Sequence, residues 1–261
     1  MNSNNVFSEY AGYYDLLYKD KNYAAEAKYI HSLIQRHRPE THKILELGSG
    51  TGKHAVLLTD HGYRIHGIER SEEMLAQAQS MANERSRRDA QWAAPTFSLG
   101  DIRTARVEGQ FDTVISLFHV VSYQTTNADL TAAFQTARSH LKTGGIFIFD
   151  VWYGPAVLTD RPAVRVKRMA DEHIEITRLA EPVMRPNDNI VEVNYHIFIR
   201  NHKTNQVCET RETHYMRYVF QSEIAMLAEH SNFSLDHGEE WMTGNPLGFE
   251  TWGACFMLRA V

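Results

Sequence analysis

The sequence is poor in cysteine, in long apolar runs and in recognisable metal-binding patterns. Its two cysteines, Cys208 and Cys255, lie far apart in predicted strands, so we expect reduced thiols and a cytoplasmic protein. No apolar stretch approaches the ~20 residues of a membrane span, and the N-terminus lacks the features of a secretory signal. The 14 histidines are scattered without H-E-x-x-H or C-x-x-C spacing, which argues against a metal site.

Charge excludes a polyanionic partner. The net charge is −5, and the one basic run, Arg85–Arg88, stands at the end of a predicted helix. We interpret this run as a solvated helix end and expect neither a nucleic-acid nor a membrane partner. With 261 residues, 43% of them hydrophobic, the chain is long enough for one large α/β domain with an insertion or for two small domains.

The most informative segment is I-L-E-L-G-S-G-T-G at residues 44–52. Its apolar start is typical of a buried parallel strand, and Lys53–Thr59 reads as the opening of a helix. A strand, a glycine-rich turn and a helix let a ligand touch bare backbone, and the N–H groups at the helix start favour a negative partner. This segment therefore predicts a binding site for a small ligand with an anionic group.

Several nucleotide-type sites share such a turn. A phosphate-binding P-loop fails, because His54 follows Gly52-Lys53 and Leu47 stands where the first glycine should be. The NAD fingerprint G-x-G-x-x-G is weakened, since the third glycine comes one residue too early, but it is not excluded. A plain tight turn also stays open. The remaining pattern has an acid, Glu46, two residues before G-x-G-x-G.

Strands and helices alternate through the first 160 residues. Strands are predicted at Lys43–Leu47, Arg64–Ile68, Thr96–Leu99, Phe111–Phe118 and Ile146–Val151, with helices at Tyr23–Arg36, at 53–61, after Ser71 and at Leu130–Leu141. This rhythm predicts a doubly wound, mostly parallel sheet of seven strands, completed by a helix at Ser222–Glu229 and strands at Phe233–Asp236 and Thr251–Ala260.

The rhythm breaks between residues 160 and 220, where polar and apolar residues alternate with almost no helical signal. We predict an antiparallel β meander inserted after the fifth strand of a single domain, 1–261. An aromatic helical segment at about 1–38 precedes the sheet, and we expect it to cover the ligand.

Two further acids follow strands. Glu69 ends the second strand, where a carboxylate serves a ribose diol in NAD enzymes and in other nucleoside-binding enzymes alike. Asp101 follows the third strand as G-D-I. Its alternative role is to cap a helix over residues 102–108.

These motifs resemble the class I S-adenosylmethionine (SAM)-dependent methyltransferases. Within them the chain is similar to the N-methyltransferases of nucleotide-linked amino sugars and, more distantly, to glycine N-methyltransferase. The likeness rests on Tyr14-Asp15, the glycine turn, G-I-E-R-S-E-E-M-L at 67–75, S-L-F-H-V-V-S-Y at 116–123 and Asp150–Tyr153. The chain departs from the sugar enzymes at Glu46 and Ser49, at D-V-W-Y in place of E-P-W-W, and at residues 243–250.

The resemblance implies a division of the site. It implies that SAM is the cofactor, with Glu69 on the ribose and Asp101 and Ile102 at the adenine. The residues expected to bind SAM are Tyr14, Tyr23, Glu46, Gly48, Ser49, Gly50, Gly52, Glu69, Arg70, Met74, Asp101, Ile102, Leu117 and Phe118. Catalysis is expected from His119 and Tyr123, and substrate contact from Trp152 and Tyr153.

The predicted function is methyl transfer from SAM to a small polar acceptor, an amine of the amino-sugar kind. O-methylation of a small hydroxyl or carboxyl compound is the alternative. An NAD-dependent oxidoreductase and a binding-only protein stay further candidates, and a homodimer is left open because exposed β edges often pair.

Overall fold

The computed structural model describes residues 16–261, and every structural statement below concerns those residues. The helices are α1 (Tyr23–His37), α2 (Lys53–Thr59), α3 (Glu72–Arg88), α4 (Asn127–His140), α5 (Gly154–Thr159) and α6 (Gln221–His230). The strands are β1 (Lys43–Leu47), β2 (Arg64–Glu69), β3 (Thr96–Leu99), β4 (Phe111–Ser116), β5 (Leu141–Tyr153), β6 (Arg165–Ala170), β7 (Ile174–Arg185), β8 (Ile190–Asn201), β9 (Val207–Val219), β10 (Phe233–Glu240) and β11 (Gly253–Ala260).

The predicted doubly wound sheet is confirmed. Strands β3, β2, β1, β4 and β5 pair in parallel in that order. On the other side of β5, strand β11 pairs antiparallel to it and carries β10 antiparallel in turn. One apolar cluster, which includes Phe134 and Phe149, lies against one face of the sheet, and another, which includes Ile30 and Ile148, lies against the opposite face.

The inserted segment is an antiparallel meander in the order β6-β7-β8-β9. It joins the main sheet where β9 pairs in parallel with the end of β5, at Trp152↔Tyr218 and Tyr153↔Val219. Because this contact lies at the carboxyl end of β5, the meander rises over the edge where parallel α/β sheets bind ligands.

Local chemistry explains several element boundaries. Ser71 Oγ accepts a hydrogen bond from the Met74 N–H at 3.2 Å and so caps α3. Strand β4 ends at Ser116 instead of Phe118, because Phe118 and His119 adopt left-handed φ angles of 64° and 62°. The helix considered over 102–108 is absent, and turns occupy residues 102–104.

No helix within residues 16–261 is long and apolar enough to span a bilayer.

Candidate active site

A cavity of about 350 Å³ opens at the carboxyl edge of the parallel strands. The turn after β1 and the ends of β2 and β4 form one side of it, and β8 and β9 of the meander form the other. The cavity therefore has an end built by the sheet and an end built by the insertion. We call these the sheet end and the meander end.

The three glycines of the turn at the sheet end have different roles, although all adopt positive φ. A Cβ on Gly50 would meet no atom of residues 16–261 within 4 Å, so this residue presents bare backbone to the cavity. A Cβ on Gly48 would come within 2.5 Å of Val120, and one on Gly52 within 2.9 Å of Ala78 and Phe97. Gly52 does not line the cavity; its missing side chain lets the turn pack on α3.

The backbone N–H groups of the turn are used within the protein. Those of Gly48 and Ser49 both donate to the Ile68 carbonyl at 2.9 Å, and that of Gly52 donates to the Ser49 carbonyl at 2.9 Å. The Gly50 N–H donates to Glu69 Oε2 at 2.8 Å. These four N–H groups hold the turn in shape, and the N–H groups at the start of α2, which we expected to favour an anionic ligand, are not among them.

Glu69 is the anchor of this turn. Its Oε1 accepts hydrogen bonds from the Arg70 and Ser71 N–H groups at 2.8 Å each, while Oε2 holds Gly50. Burial raises the pKa of this carboxyl, against the lowering effect of the three N–H donors. A carboxylate has about four lone-pair sites, so Glu69, which lines the cavity, can also accept from a hydroxyl there.

A second acid lies below the turn. Glu46 is 1% exposed, and its Oε2 has no hydrogen-bond partner among the described residues. Its nearest basic group is His54, whose Nδ1 lies 3.9 Å from Oε1. Burial, and then the charge of Glu69, raise the pKa of Glu46 to about 8. Glu46 does not line the cavity, but Ser49 of the turn does, and its Oγ is also buried without a hydrogen-bond partner among the described residues.

At the other side of the sheet end, Asp101 is held by a residue that the sequence analysis missed. Arg103 donates from Nε to Asp101 Oδ1 at 2.9 Å and from Nη2 to Oδ2 at 2.6 Å, and its Nη1 reaches Asp129 at 2.8 Å. The hydrogen bonds from Arg103 lower the pKa of Asp101. Asp101 is therefore a carboxylate at neutral pH, fixed at the cavity wall with Ile102 beside it.

Most of the remaining residues expected at the cofactor line this cavity. They come from four different elements or connections: Tyr23, Arg70, Met74, Leu117 and Phe118. The Tyr23 ring packs edge-on against the His54 ring, with a centroid distance of 5.1 Å, and Lys53 Nζ lies 5.0 Å from its centroid. Tyr14 lies outside the described residues, as do all of residues 1–15 of the segment that we expected to cover the ligand.

His119 stands between the two ends of the cavity. Its Nδ1 lies 2.7 Å from Asp150 Oδ2, and its backbone N–H donates to the same oxygen at 3.1 Å. Asp150 is 1% exposed. This carboxylate lies in contact with the ring and accepts the hydrogen bond that holds the left-handed backbone of His119, a conformation that costs about 1–3 kcal/mol in a residue with a Cβ and is typical of functional sites.

The meander end contains a chain of polar side chains. Tyr123 Oη is hydrogen bonded to His214 Nδ1 at 2.8 Å, and His214 Nε2 lies 3.3 Å from Glu212 Oε2. Tyr123 and His214 line the cavity, whereas Glu212 lies behind them and is 7% exposed. Burial is the main reason why the pKa of Tyr123 lies well above its usual range, so the group is a neutral phenol.

The two residues expected to contact substrate lie in different environments. Trp152 lines the cavity. Tyr153 does not; its side chain is 7% exposed and packs in the apolar core near Phe256. The expectation for Tyr153 is wrong because consecutive residues of a strand point to opposite faces of the sheet.

Several lining residues were missed because they come from distant parts of the sequence. Tyr195 of β8, and His214 and Met216 of β9, complete the meander end. The signal available in the sequence was the alternation of side chains along β9, which places His214 and Met216 on the same face of that strand. Nothing in the sequence indicated which face of the meander would meet the cavity.

Comparison with known proteins agrees with this geometry. Residues 44–145 match the methyltransferase domain family. Over 154 residues the chain is 32% identical to dTDP-3-amino-3,4,6-trideoxy-alpha-D-glucopyranose N,N-dimethyltransferase of Streptomyces venezuelae, with 58% of this chain and 61% of that protein covered. Over 153 residues it is 30% identical to dTDP-3-amino-3,6-dideoxy-alpha-D-glucopyranose N,N-dimethyltransferase of Streptomyces fradiae, covering 58% and 56%. The match thus spans little more than half the length of these relatives.

The fold extends the likeness to nearly the whole chain. A crystal structure of an S-adenosylmethionine-dependent methyltransferase from Clostridium acetobutylicum superposes with a TM-score of 0.80 at 19% identity, covering 98% of this chain and 99% of that one. At this identity the likeness concerns the fold. Residues 44–145 therefore match a methyltransferase domain, and the chain as a whole has the Rossmann-like fold of methyltransferases.

Proposed function

We propose that the protein transfers a methyl group from SAM to the amine of a small polar acceptor of the amino-sugar kind. The observation that carries this proposal is one cavity with two unlike ends. A glycine turn with buried acids forms the sheet end, and a buried Tyr–His–Glu chain forms the meander end. The names of the relatives from the two Streptomyces species, both N,N-dimethyltransferases of amino sugars, support an amine acceptor.

The sheet end fits SAM. When bound, SAM supplies an electrophilic methyl group on a sulfonium, together with an ammonium, a carboxylate and a ribose diol. Glu46 Oε2 is a buried acceptor without a hydrogen-bond partner in the part of the chain that the structure describes, and we assign it to the ammonium side of the cofactor. Glu69 would hold the ribose diol, and Asp101 would accept from the adenine amino group while Arg103 keeps it ionised.

At the meander end, we assign Tyr123, His214 and Glu212 to proton removal. The Tyr123 hydroxyl donates to His214 Nδ1, so its oxygen lone pairs can accept a proton from an acceptor ammonium as its own proton moves to His214. The imidazolium that forms keeps Nε2–H toward the Glu212 carboxylate, which stabilises it. The amine is then neutral, with a lone pair available to attack the methyl carbon, and alignment of the two reactants accounts for most of the rate.

His119, held by Asp150, is the second candidate base. It stands at the boundary between the two ends, whereas Tyr123 belongs to the meander end. A hydroxyl acceptor would need the same bases, so the experiment must distinguish O-methylation from N-methylation. The free thiols of Cys208 and Cys255 support our assignment of the reaction to a reducing, cytoplasmic compartment.

The first experiment tests which cofactor the protein binds. Titration calorimetry with SAM, its demethylated product and NAD should give micromolar binding, about −8 kcal/mol, for the demethylated product. Tight NAD binding without SAM binding would overturn the cofactor assignment.

The second experiment measures transfer. Methyl-labelled SAM is incubated with amino sugars, nucleotide-linked amino sugars, simple amines and matched alcohols, and label is expected in the amines. Tyr123→Phe and His214→Asn should each lower kcat by roughly 10²-fold, with the SAM Kd near wild type. Tyr215→Phe is the matched control, because Tyr215 lies on the same strand as His214 and is 44% exposed. Label only in alcohols would favour O-methylation, and an unchanged kcat in both variants would exclude the proposed proton route.

A further inference from the structure

A second, smaller cavity of about 270 Å³ lies beside the first. Three of the four tryptophans of the chain line it, Trp152, Trp241 and Trp252, together with Glu240 and Glu250. We call it the tryptophan cavity. Of these residues, Trp241, Trp252 and the two glutamates have no role in the reaction proposed above.

The sheet brings the three rings together. Gly253 of β11 pairs with Trp152 of β5, and the backbone N–H of Trp241 donates to the Gly253 carbonyl at 2.8 Å. A Cβ on Gly253 would lie 3.3 Å from Trp241, so a residue without a side chain is what lets that ring lie over the strand. The rings of Trp152 and Trp252 are 5.9 Å apart between centroids and nearly perpendicular, at 81°. Hydrogen bonds and strand pairing therefore fix these walls.

One of the two carboxylates of the tryptophan cavity, that of Glu240, is also held in place. Glu240 Oε2 accepts from Thr243 Oγ1 at 2.7 Å and from Asn245 Nδ2 at 3.0 Å. These hydrogen bonds lower the pKa of Glu240, so it is ionised at neutral pH. Glu250 stands exposed at the rim. No lysine or arginine of residues 16–261 lines this cavity.

Electron-rich ring faces together with fixed negative charge select one chemical class of ligand. Tryptophan is the best aromatic partner for a cation, and aromatic walls are favoured over carboxylates alone when the cation carries methyl groups. An anionic ligand such as a diphosphate would be repelled by both glutamates. A neutral sugar would gain nothing from the negative charges of the two glutamates.

We propose that the tryptophan cavity is a binding site for an alkylammonium group, such as a methylated amine. His119 and Trp152 line both cavities, so this site shares a wall with the first one. Its use by a cationic part of the acceptor or of the methylated product rests on the function proposed above. Binding of the cation itself does not depend on methyl transfer.

The test uses tetramethylammonium chloride and the intrinsic tryptophan fluorescence of the full chain. Sodium chloride at the same concentration serves as the salt control. We expect a saturable change with tetramethylammonium and none with sodium. Calorimetry with demethylated SAM is run on each variant as a separate measurement, so loss of the cofactor site is distinguished from loss of the cation site.

Two variants probe the two parts of the site. Trp252→Leu removes a ring, and Glu240→Gln removes a charge while keeping an acceptor for Thr243 and Asn245. Each should raise the tetramethylammonium Kd by about fivefold or more, with demethylated SAM binding unchanged. Trp252→Phe keeps an aromatic face and should recover part of the affinity.

The matched controls lie elsewhere on the protein. Trp92 interacts with Asp60 and Arg85, and the side chain of Glu172 is 86% exposed. Trp92→Phe and Glu172→Gln should leave the Kd of tetramethylammonium unchanged. The proposal is overturned if wild type gives no saturable change, or if Trp252→Leu and Glu240→Gln both bind the cation as wild type does. A chain that binds tetramethylammonium but no SAM would uphold this site and remove the proposed function.

Discussion

Replacing Glu46 by glutamine should stabilise the protein, and increasingly so as the pH rises. The folded protein raises the pKa of this carboxyl from 4.5 to about 8. Between these two values the unfolded chain has lost the proton that the folded chain still holds, so the free energy of unfolding of the wild type falls with pH. The slope is about 1.4 kcal/mol per pH unit.

The size of this stability loss follows from the width of the pH interval between the two pKa values. By pH 7 the wild type should have lost about 3 kcal/mol relative to its stability near pH 4.5, and near pH 8 the loss reaches its limit of about 5 kcal/mol. Glu46→Gln has no proton to lose at this position, so its advantage over wild type should grow by these amounts and then level off. Because Glu46 is 1% exposed, solvent screening does not reduce the effect.

Urea unfolding of both proteins at several pH values between 5 and 9 measures this difference. Glu69, whose pKa is also raised, is present in both proteins, and the comparison cancels most of its contribution. Glu172→Gln, at an exposed position, is the control and should follow wild type. A constant difference between Glu46→Gln and wild type across this range would refute the assignment of a buried, proton-binding Glu46.

The same residue gives a second readout through the cofactor. If the ammonium of SAM approaches Glu46, the added positive charge lowers the pKa of the carboxyl. Binding at pH 7 should then release close to one proton from wild type and fewer from Glu46→Gln. Calorimetry in two buffers of different ionisation enthalpy measures this release, and equal release by both proteins would remove Glu46 from the ammonium side.

Other substitutions separate packing from binding. Gly52→Ala should lower the free energy of unfolding by about 1–3 kcal/mol, since the new Cβ meets α3 at positive φ. Gly50→Val should abolish SAM binding in calorimetry, and its loss of stability in urea unfolding should come from the positive φ alone, because its Cβ meets no described atom within 4 Å. Glu69→Ala should weaken SAM binding by roughly 1–3 kcal/mol, and an unchanged Kd would contradict the ribose assignment. Trp152→Ala should lower acceptor turnover with SAM affinity near wild type, whereas Tyr153→Phe should leave turnover unchanged; a parallel loss of SAM affinity in Trp152→Ala would place that residue at the cofactor.

Features that depend on neighbours in the sequence were predicted well. Strands β1 and β3 have the predicted bounds, and Ser71 caps α3 as expected, because apolar periodicity, glycine and capping residues act within a few positions. The end of β4 was misplaced because apolar character continues through Phe118, while the backbone has already turned at that residue. The polarity of the side chains indicates whether a segment is buried, but it does not indicate the backbone φ angle.

The individual roles of the glycines could not be read from their spacing. The pattern is the same for Gly50, which faces the cavity, and for Gly52, which faces Ala78 and Phe97. Which atoms surround a glycine depends on how α3 and β3 pack over the turn. The use of the turn N–H groups by Ile68 and Glu69 likewise depends on the position of β2 beside β1.

The sequence by itself determined the order of strands and helices, the glycine turn and the acids at the ends of β1, β2 and β3, since all of these are properties of short segments. Only the tertiary structure decided that Tyr123 meets His214, 91 residues away, that Arg103 also reaches Asp129, and that three tryptophans share one cavity. Such contacts depend on how distant elements are packed against each other. The hydrophobic effect that drives this packing is non-directional, so the pattern along the chain specifies which side chains are buried and does not specify their partners.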